Sequence, residues 1–350
     1  MKTGLTISLD AMGGDDAPDI VVKGAARFAR KHKAVAFIFV GDKPRIQPLL
    51  EEERALKGRY TIIHTEDVVP GDMKPSIALR QGRNSSMRLA INAVAEGKAD
   101  AVLSAGNTGA LMAMAKFVLK TLPGITRPAL ASVMPTCIKG RGTVMLDLGA
   151  NIECSARHLI EFSILGTIYA KNIWGIDSPR LGLLNVGSEE MKGHDFIREA
   201  SHILSERFEI ADYQGFVEGT DISSGEVDVI VADGFSGNVA LKTVEGTAKM
   251  ISTMVRQSVS STPISYLGYP FMMPAFRKLK SRADPRLYNG GMFMGLRGLC
   301  VKSHGGADDI GFANALKVAH DLAAAGFNDR VAEAIEKIGL EDLFGEAIEV

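Results

Sequence analysis

Ala101-Val102-Leu103-Ser104-Ala105-Gly106-Asn107-Thr108-Gly109 is a short apolar run that breaks into small polar residues, and Leu111, Met114, Ala115 and Val118 follow at helical spacing. The run reads as a buried strand, the small residues as a loop and the periodic stretch as a helix. The same unit recurs in both directions along the chain. Residues 3–9 run into Asp10-Ala11-Met12-Gly13-Gly14-Asp15, ahead of Pro18 and the periodic Ile20, Val21, Ala25, Phe28 and Ala29. Residues 35–40 and 60–64 read as strands, and residues 82–96 as a helix. Residues 143–146 end in Asp147-Leu148-Gly149-Ala150-Asn151 before a helix over 158–169. Residues 181–186 end in Gly187-Ser188-Glu189-Glu190-Met191-Lys192-Gly193, and 227–231 in Asp233-Gly234-Phe235-Ser236-Gly237-Asn238. This alternation predicts an α/β fold of three layers, α/β/α, with a largely parallel sheet. Ligands of such sheets bind beyond the carboxyl ends of the strands. The polar loops sit at those ends, so several of them are expected to converge on one cleft.

The 350 residues, 46% of them hydrophobic, suffice for a large core. Neither a linker nor a short repeat is apparent, so residues 1–350 read as one α/β enzyme domain with one inserted feature. A net charge of -1 gives no basic excess for nucleic acid. Cys137, Cys154 and Cys300 are odd in number, widely spaced and without a CxxC pair, which argues against a zinc site or a disulfide framework. No HExxH or EF-hand pattern occurs, so neither a metal nor another cofactor is expected. The N-terminal residues lack the apolar core of a signal peptide, and no uncharged apolar stretch is long enough to span a bilayer. A cytoplasmic protein is expected.

The loops differ in what they offer. Ser104 to Gly109 brings hydroxyl, amide and backbone N–H donors to a helix N-terminus, which suits an anion. A helix cap alone needs Asn107 or Thr108, not the whole run. Asp10-Ala11-Met12-Gly13-Gly14-Asp15 lacks dinucleotide spacing, and its carboxylates repel phosphate. Asp10, Gly13 and Gly14 are therefore assigned to shaping the cleft, together with Asn151, Asp233 and Asp309. Lys192 lies among small residues after a strand, where it can reach a phosphate or simply be solvated. Asn238 stands near a helix start. Lys302-Ser303-His304-Gly305-Gly306-Ala307-Asp308-Asp309 combines hydroxyl, imidazole and carboxylate, but adjacent Ser303 and His304 point apart and there is no GxSxG elbow. An anion site with His304 as donor or proton shuttle fits better than a nucleophilic serine.

The inserted feature, residues 245–285, has no Asp or Glu between Glu245 and Asp284. Val244, Ala248, Ile251 and Val255 mark an apolar helical face. Leu267, Phe271, Met272 and Phe276 follow among Gly and Pro, and then Arg277 and Lys278. A core hairpin with a solvated basic end is one reading. The other is a projecting helical hairpin whose apolar tip lies on an anionic membrane, each buried Phe or Leu contributing about 1.5–3 kcal/mol and each nearby cation about 1 kcal/mol. An acidic protein partner would be drawn to the same cations.

Taken together, Leu9 to Asp15, Ser104 to Ala110, Asp147 to Asn151, Asn185 to Gly193, Asp233 to Asn238 and Ser303-His304-Gly305 resemble the bacterial phosphate acyltransferases of phospholipid synthesis. The order and spacing of these motifs carry the resemblance over residues 5–327. It implies a fold akin to isopropylmalate dehydrogenases and phosphotransacetylases, and a homodimer. It also implies an acyl-carrier-protein thioester as donor, inorganic phosphate as acceptor, and delivery of the acyl phosphate to a membrane glycerol-3-phosphate acyltransferase. The acid-free stretch resembles the family's membrane-contacting hairpin, so peripheral membrane association is implied too. Residues 295–309 are similar to the phosphotransacetylase segment that binds phosphate. There a Ser-Arg pair precedes an acid; here the pair is Ser303-His304 with Asp309, and Lys192 is the substitute cation.

Phosphate is ionised at neutral pH and needs positioning more than a base. Positioning supplies roughly 7–11 kcal/mol at best, and one oxyanion donor about 2.7–4 kcal/mol. Lys192 and Ser303, with Asn107 and Thr108, are assigned to phosphate, Asn238 to positioning or the oxyanion and His304 to proton handling, with no acyl-enzyme. Two alternatives stand beside this. A decarboxylating dehydrogenase would need clustered Arg and metal-binding Asp residues. A non-catalytic scaffold for carrier protein or membrane would explain the tip but not the loops.

Overall fold

The computed structural model describes residues 4–259, 271–275, 278 and 284–339. Its centre is an eleven-stranded sheet. In chain order the strands are β1 (Thr6–Asp10), β2 (Ala36–Gly41), β3 (Tyr60–His64), β4 (Ala101–Ser104), β5 (Ala129–Pro135), β6 (Gly142–Leu146), β7 (Arg180–Leu184), β8 (Asp212–Val217), β9 (Val229–Val231), β10 (Gly291–Met294) and β11 (Leu299–Lys302). The spatial order is β3-β2-β1-β4-β11-β10-β5-β6-β9-β7-β8.

Two parallel blocks make up this sheet. β3, β2, β1, β4 and β11 are mutually parallel, as are β6, β9, β7 and β8. Between them, β10 is antiparallel to both β11 and β5, and β5 is antiparallel to β6. The blocks therefore run in opposite directions. β5 is the seam: residues 129–131 pair with β10, and residues 132–135 with β6. Lys302, the last residue of β11, is level with Gly291, whose neighbour Met292 faces Ala131. β6 ends one residue beyond Met145, which faces Ser132. The carboxyl ends of both blocks thus come level with the middle of β5, and two groups of loops meet there.

Helices cover both faces. One face carries α1 (Asp19–Lys31), α2 (Lys43–Glu52), α6 (Ala156–Trp174), α7 (Asp195–Arg207), α9 (Asp309–Ala324) and α10 (Phe327–Ile338) over a core that includes Ile7, Leu9, Leu103, Leu146, Leu181 and Val229. The other carries α3 (Pro75–Gln81), α4 (Ser86–Ala95) and α5 (Thr108–Leu119) over Val40, Val102, Met145 and Ile230. Strand residues alternate between the two cores because successive side chains leave opposite faces.

Of the helix expected over 82–96 only α4 forms: the separate α3 ends at Gln81 with Gly82 as its C-cap, and Ser85 opens α4 by accepting a bond from the Arg88 N–H through its side chain. α8 (Gly234–Val259) starts against the sheet and leaves it: after Gly237 none of its residues is buried. Of its expected apolar face, Val244, Ala248 and Val255 are half-buried and Ile251 is exposed. Phe271, Met272 and Lys278 are exposed. Leu267, Phe276 and Arg277 lie outside the described residues. Among the described residues no helix is long and apolar enough to cross a membrane.

Candidate active site

The first loop group gathers at the ends of β1, β4 and β11 around a buried carboxylate. Asp10 accepts from Ser86 Oγ at 2.6 Å and from Ser104 Oγ at 2.7 Å. Burial raises its pKa, and the two hydroxyls, the Met12 N–H and the charge of Lys302 pull it back. Gly13 must be glycine here, because a Cβ would stand 2.4 Å from Asp10 Oδ2 and 2.8 Å from the Gly106 nitrogen. The Asp15 N–H donates to the Gly305 carbonyl at 3.0 Å, tying the β1 loop to the β11 loop. The gap that Gly13 and Gly14 leave against Ala105 and Gly305 is only about 10 Å³, enough for no more than a water.

Lys302 closes β11 and is 9% exposed. Its ammonium donates to the Ala105 carbonyl at 3.4 Å and to the Ser303 carbonyl, so it joins the β4 and β11 loops. Burial pushes its pKa down to about 8. Asp10, Asp15 and Cys300 oppose that shift, while Lys242 adds to it. Asn289 fixes the next turn. Its Nδ2 donates to Ser303 Oγ and to the Gly311 carbonyl, each at 2.8 Å, and its Oδ1 accepts from the His304 N–H at 2.9 Å. His304 Nδ1 accepts from the Gly306 N–H at 3.1 Å. Ser303 and His304 side chains thus face different partners, and no hydroxyl–imidazole pair forms.

Asn107 is the N-cap of α5: its Oδ1 accepts from the Ala110 N–H at 2.9 Å. Its Nδ2 donates to the carbonyls of Gly71 and Met73, so its whole carboxamide is engaged. The hydroxyl of neighbouring Thr108 has no partner among the described residues. Asp309 pairs with Arg27 at 2.7 Å and clasps α9 to α1, while Asp308 caps α9.

The second group lies at the ends of β6, β7 and β9. Asp147 is buried and accepts from the N–H groups of Leu130, Ala150 and Asn151 and from Asn151 Nδ2. Burial raises its pKa against those four donors. Asn151 Nδ2 also donates to the Pro128 carbonyl at 2.8 Å, which pins the loop to the start of β5. Asp233 caps α8 by accepting from the Ser236 N–H at 2.9 Å. Asn238, exposed on the first turns of α8, packs its side chain near Gly149 and makes no hydrogen bond among the described residues. Lys192, at the end of β7, is half-exposed and pairs with Glu189 at 2.9 Å, which raises its pKa. Asn185 Nδ2 holds its carbonyl at 3.0 Å.

Asn238 and Lys242 are four residues apart on α8 and share a face. The charge of Lys242 adds to the lowering of the Lys302 pKa. A cavity of about 560 Å³ lies between α5 and the β6 loop, lined by Met112 and Lys116 of α5, Arg127 and Pro128 ahead of β5, and residues 150–153. Thr108 and His304 in the first group and Asn238 in the second offer neutral donors, and Lys302 is a buried cation of the first group. Lys192 and Asp309 make their own contacts at the edges. Sequence reasoning missed Lys302 and Asn289. The signal for Lys302 was a charge continuous with the apolar run Leu299-Cys300-Val301; Asn289, before Gly290-Gly291, carries no comparable signal.

A family model described as fatty acid synthesis protein matches residues 5–330. The chain belongs to that family. A phosphate acyltransferase from Rhodospirillum centenum is 56% identical over 97% of this chain and 95% of its own. The family member is thus an acyltransferase of the phosphate acyltransferase kind. In fold it is similar to a phosphotransacetylase from Streptococcus pyogenes (TM-score 0.60, 19% identity, covering 95% of this chain and 94% of that one). It is also similar to a protein described as a 4-hydroxythreonine-4-phosphate dehydrogenase from Salmonella typhimurium (TM-score 0.51, 14% identity, 92% and 100% covered). These likenesses agree with the three-layer, dehydrogenase-like fold expected from the sequence.

Proposed function

We propose that the protein forms an acyl phosphate from an acyl-carrier-protein thioester and inorganic phosphate, for phospholipid synthesis. The observation that carries this reading is the near full-length identity to phosphate acyltransferases, placed on a site rich in neutral donors. Phosphate sits between the loop groups, held by the Thr108 hydroxyl, loop N–H groups and the Ser303 turn, while Asn107 shapes the α5 end. Lys302 from the first block and Lys192 from the second supply positive charge. An oxygen of phosphate attacks the thioester carbonyl, Asn238 donates to the developing oxyanion, and the thiolate leaves as the carbonyl reforms. His304 exchanges protons with phosphate. Thiol catalysis is not needed: burial pushes Cys154 up to about 12 and raises Cys300 further, so neither is a thiolate at neutral pH.

The test is hydroxylamine trapping of acyl phosphate from purified protein, phosphate and long-chain acyl carrier protein, with acyl-coenzyme A as control donor. Product that needs phosphate and the carrier donor is expected; absence of product from folded protein overturns the reading.

The protein is further read as a cytoplasmic homodimer that touches the membrane and hands its product to a membrane glycerol-3-phosphate acyltransferase. What supports membrane contact is α8 leaving the body and the exposure of Phe271 and Met272, 87% and 53%. Phe271→Asp/Met272→Asp is expected to lose flotation with anionic liposomes; undiminished flotation rejects direct contact.

A further inference from the structure

The face outside the 560 Å³ cavity has a composition that the reaction itself does not demand. Lys116 and Arg127 line the cavity and are both exposed. Phe117, next to Lys116 on α5, is 63% exposed, and Ile152, on the opposite wall, is 71% exposed. Arg88 of α4 lies over the Phe117 ring, 5.1 Å from its centroid. The charge of Arg83 reaches Arg88 in turn. Arg83, Arg88, Lys116 and Arg127 form no ion pair among the described residues, and the one carboxylate lining the cavity is that of Glu153. The positive potential is felt by neighbours: His158 is pushed down to about 4 by burial, with Arg127, Lys116 and Arg157 adding to it. Unpaired cations around exposed apolar side chains, at a cavity bordered by α5 and the β6 loop, fit an acidic protein with an apolar spot.

We propose that the rim formed by Arg83, Arg88, Lys116 and Arg127, with Phe117 and Ile152 set in it, docks the acidic protein that carries the acyl thioester, whose arm enters the cavity. The proposal rests on the reading of the donor as a carrier-protein thioester. The rim steers the carrier by charge, Phe117 and Ile152 meet its apolar spot, and the thioester passes between α5 and the loop of residues 150–153.

The experiment uses the full chain with palmitoyl acyl carrier protein as donor. KM for the donor is measured from about 0.05 to about 0.3 M salt, a range over which exposed charges are progressively screened. Arg88→Glu/Lys116→Glu is expected to raise KM about tenfold at low salt and to flatten its salt dependence. Arg83→Glu, at an exposed position, is expected to raise it about threefold and carries the test if the double variant does not fold. Lys33→Glu/Lys57→Glu, on the far edge of the first block, is expected to match the wild type. Unchanged KM in folded rim variants, or a wild-type KM indifferent to salt, overturns the docking site while the reaction stands. Absence of acyl phosphate from the wild type with this donor overturns the functional reading itself, and the docking site with it.

Discussion

Lys302 is the residue on which most of the first loop group depends. A lysine at 9% exposure, bonded to two carbonyls and facing Asp10, is a cation kept where desolvation disfavours its charge. Its folded pKa of about 8 lies below the unfolded value of 10.5. Below pH 8 it is protonated in both states and the burial penalty is present in full. Between about 8 and 10.5 the unfolded chain binds more protons, so stability rises with pH through that window, by on the order of 3 kcal/mol in total. Lys302→Met is expected to abolish this rise, measured as urea midpoints from pH 7 to 10. The same titration removes the cation from the proposed phosphate site. The kcat/KM for phosphate is therefore expected to fall above about pH 8 in the wild type and to be lower by at least about tenfold in Lys302→Met at pH 7. A flat wild-type profile rejects the assignment of Lys302 to phosphate. The sequence showed the hydroxyl and imidazole beside this lysine because Ser303-His304-Gly305 has the small-residue form of a loop. It hid the lysine because burial of a charge is decided by Ala105 and Asp10, which are distant in sequence.

At the scale of elements, the start of α8 is fixed by close approach of two backbones. A Cβ on Gly237 would meet the Asp147 carbonyl oxygen at 1.9 Å, whereas one on Gly246, farther along the same helix, meets nothing within 4 Å. Both glycines weaken a helix relative to alanine, so only the surroundings distinguish them. Gly237→Ala is expected to lower stability by about 1–3 kcal/mol and to reduce acyl-phosphate formation, because Asn238 moves with the displaced turn. Gly246→Ala is expected to raise stability by about 0.5–1 kcal/mol with activity retained. Thermal melts of the two variants check the pair, and equal shifts would mean that the backbone contact carries no strain. The strand–loop–helix order that made the loops of β1, β4, β6, β7 and β9 legible is local, and periodicity reports it well. β5 and β10 escaped because their meaning lies in register: Ala131 and Ser132, adjacent in sequence, belong to opposite blocks.

At the scale of the molecule, an antiparallel seam between two parallel blocks invites the question of whether the blocks unfold separately. Packing answers it. One core runs beneath α1 and α6 alike, uniting Ile7 and Leu103 of the first block with Leu146 and Val229 of the second. On the other face Val102 and Ile230 share the second core. Each face is thus one apolar layer crossing the seam, and separating the blocks would expose both layers to water at roughly 25 cal/mol per Å². One cooperative transition is expected. Trp174, the only tryptophan, ends α6 and packs on the core from the second block, so its fluorescence reports that block. Far-UV circular dichroism reports both. The two urea curves are expected to superimpose, with a shared midpoint and slope. If Trp174 fluorescence changed at lower urea than the dichroism, the second block would be coming off first. The proposed site, drawing on loops of both blocks, would then lose its Asn238 side before its Lys302 side, and activity would track the fluorescence.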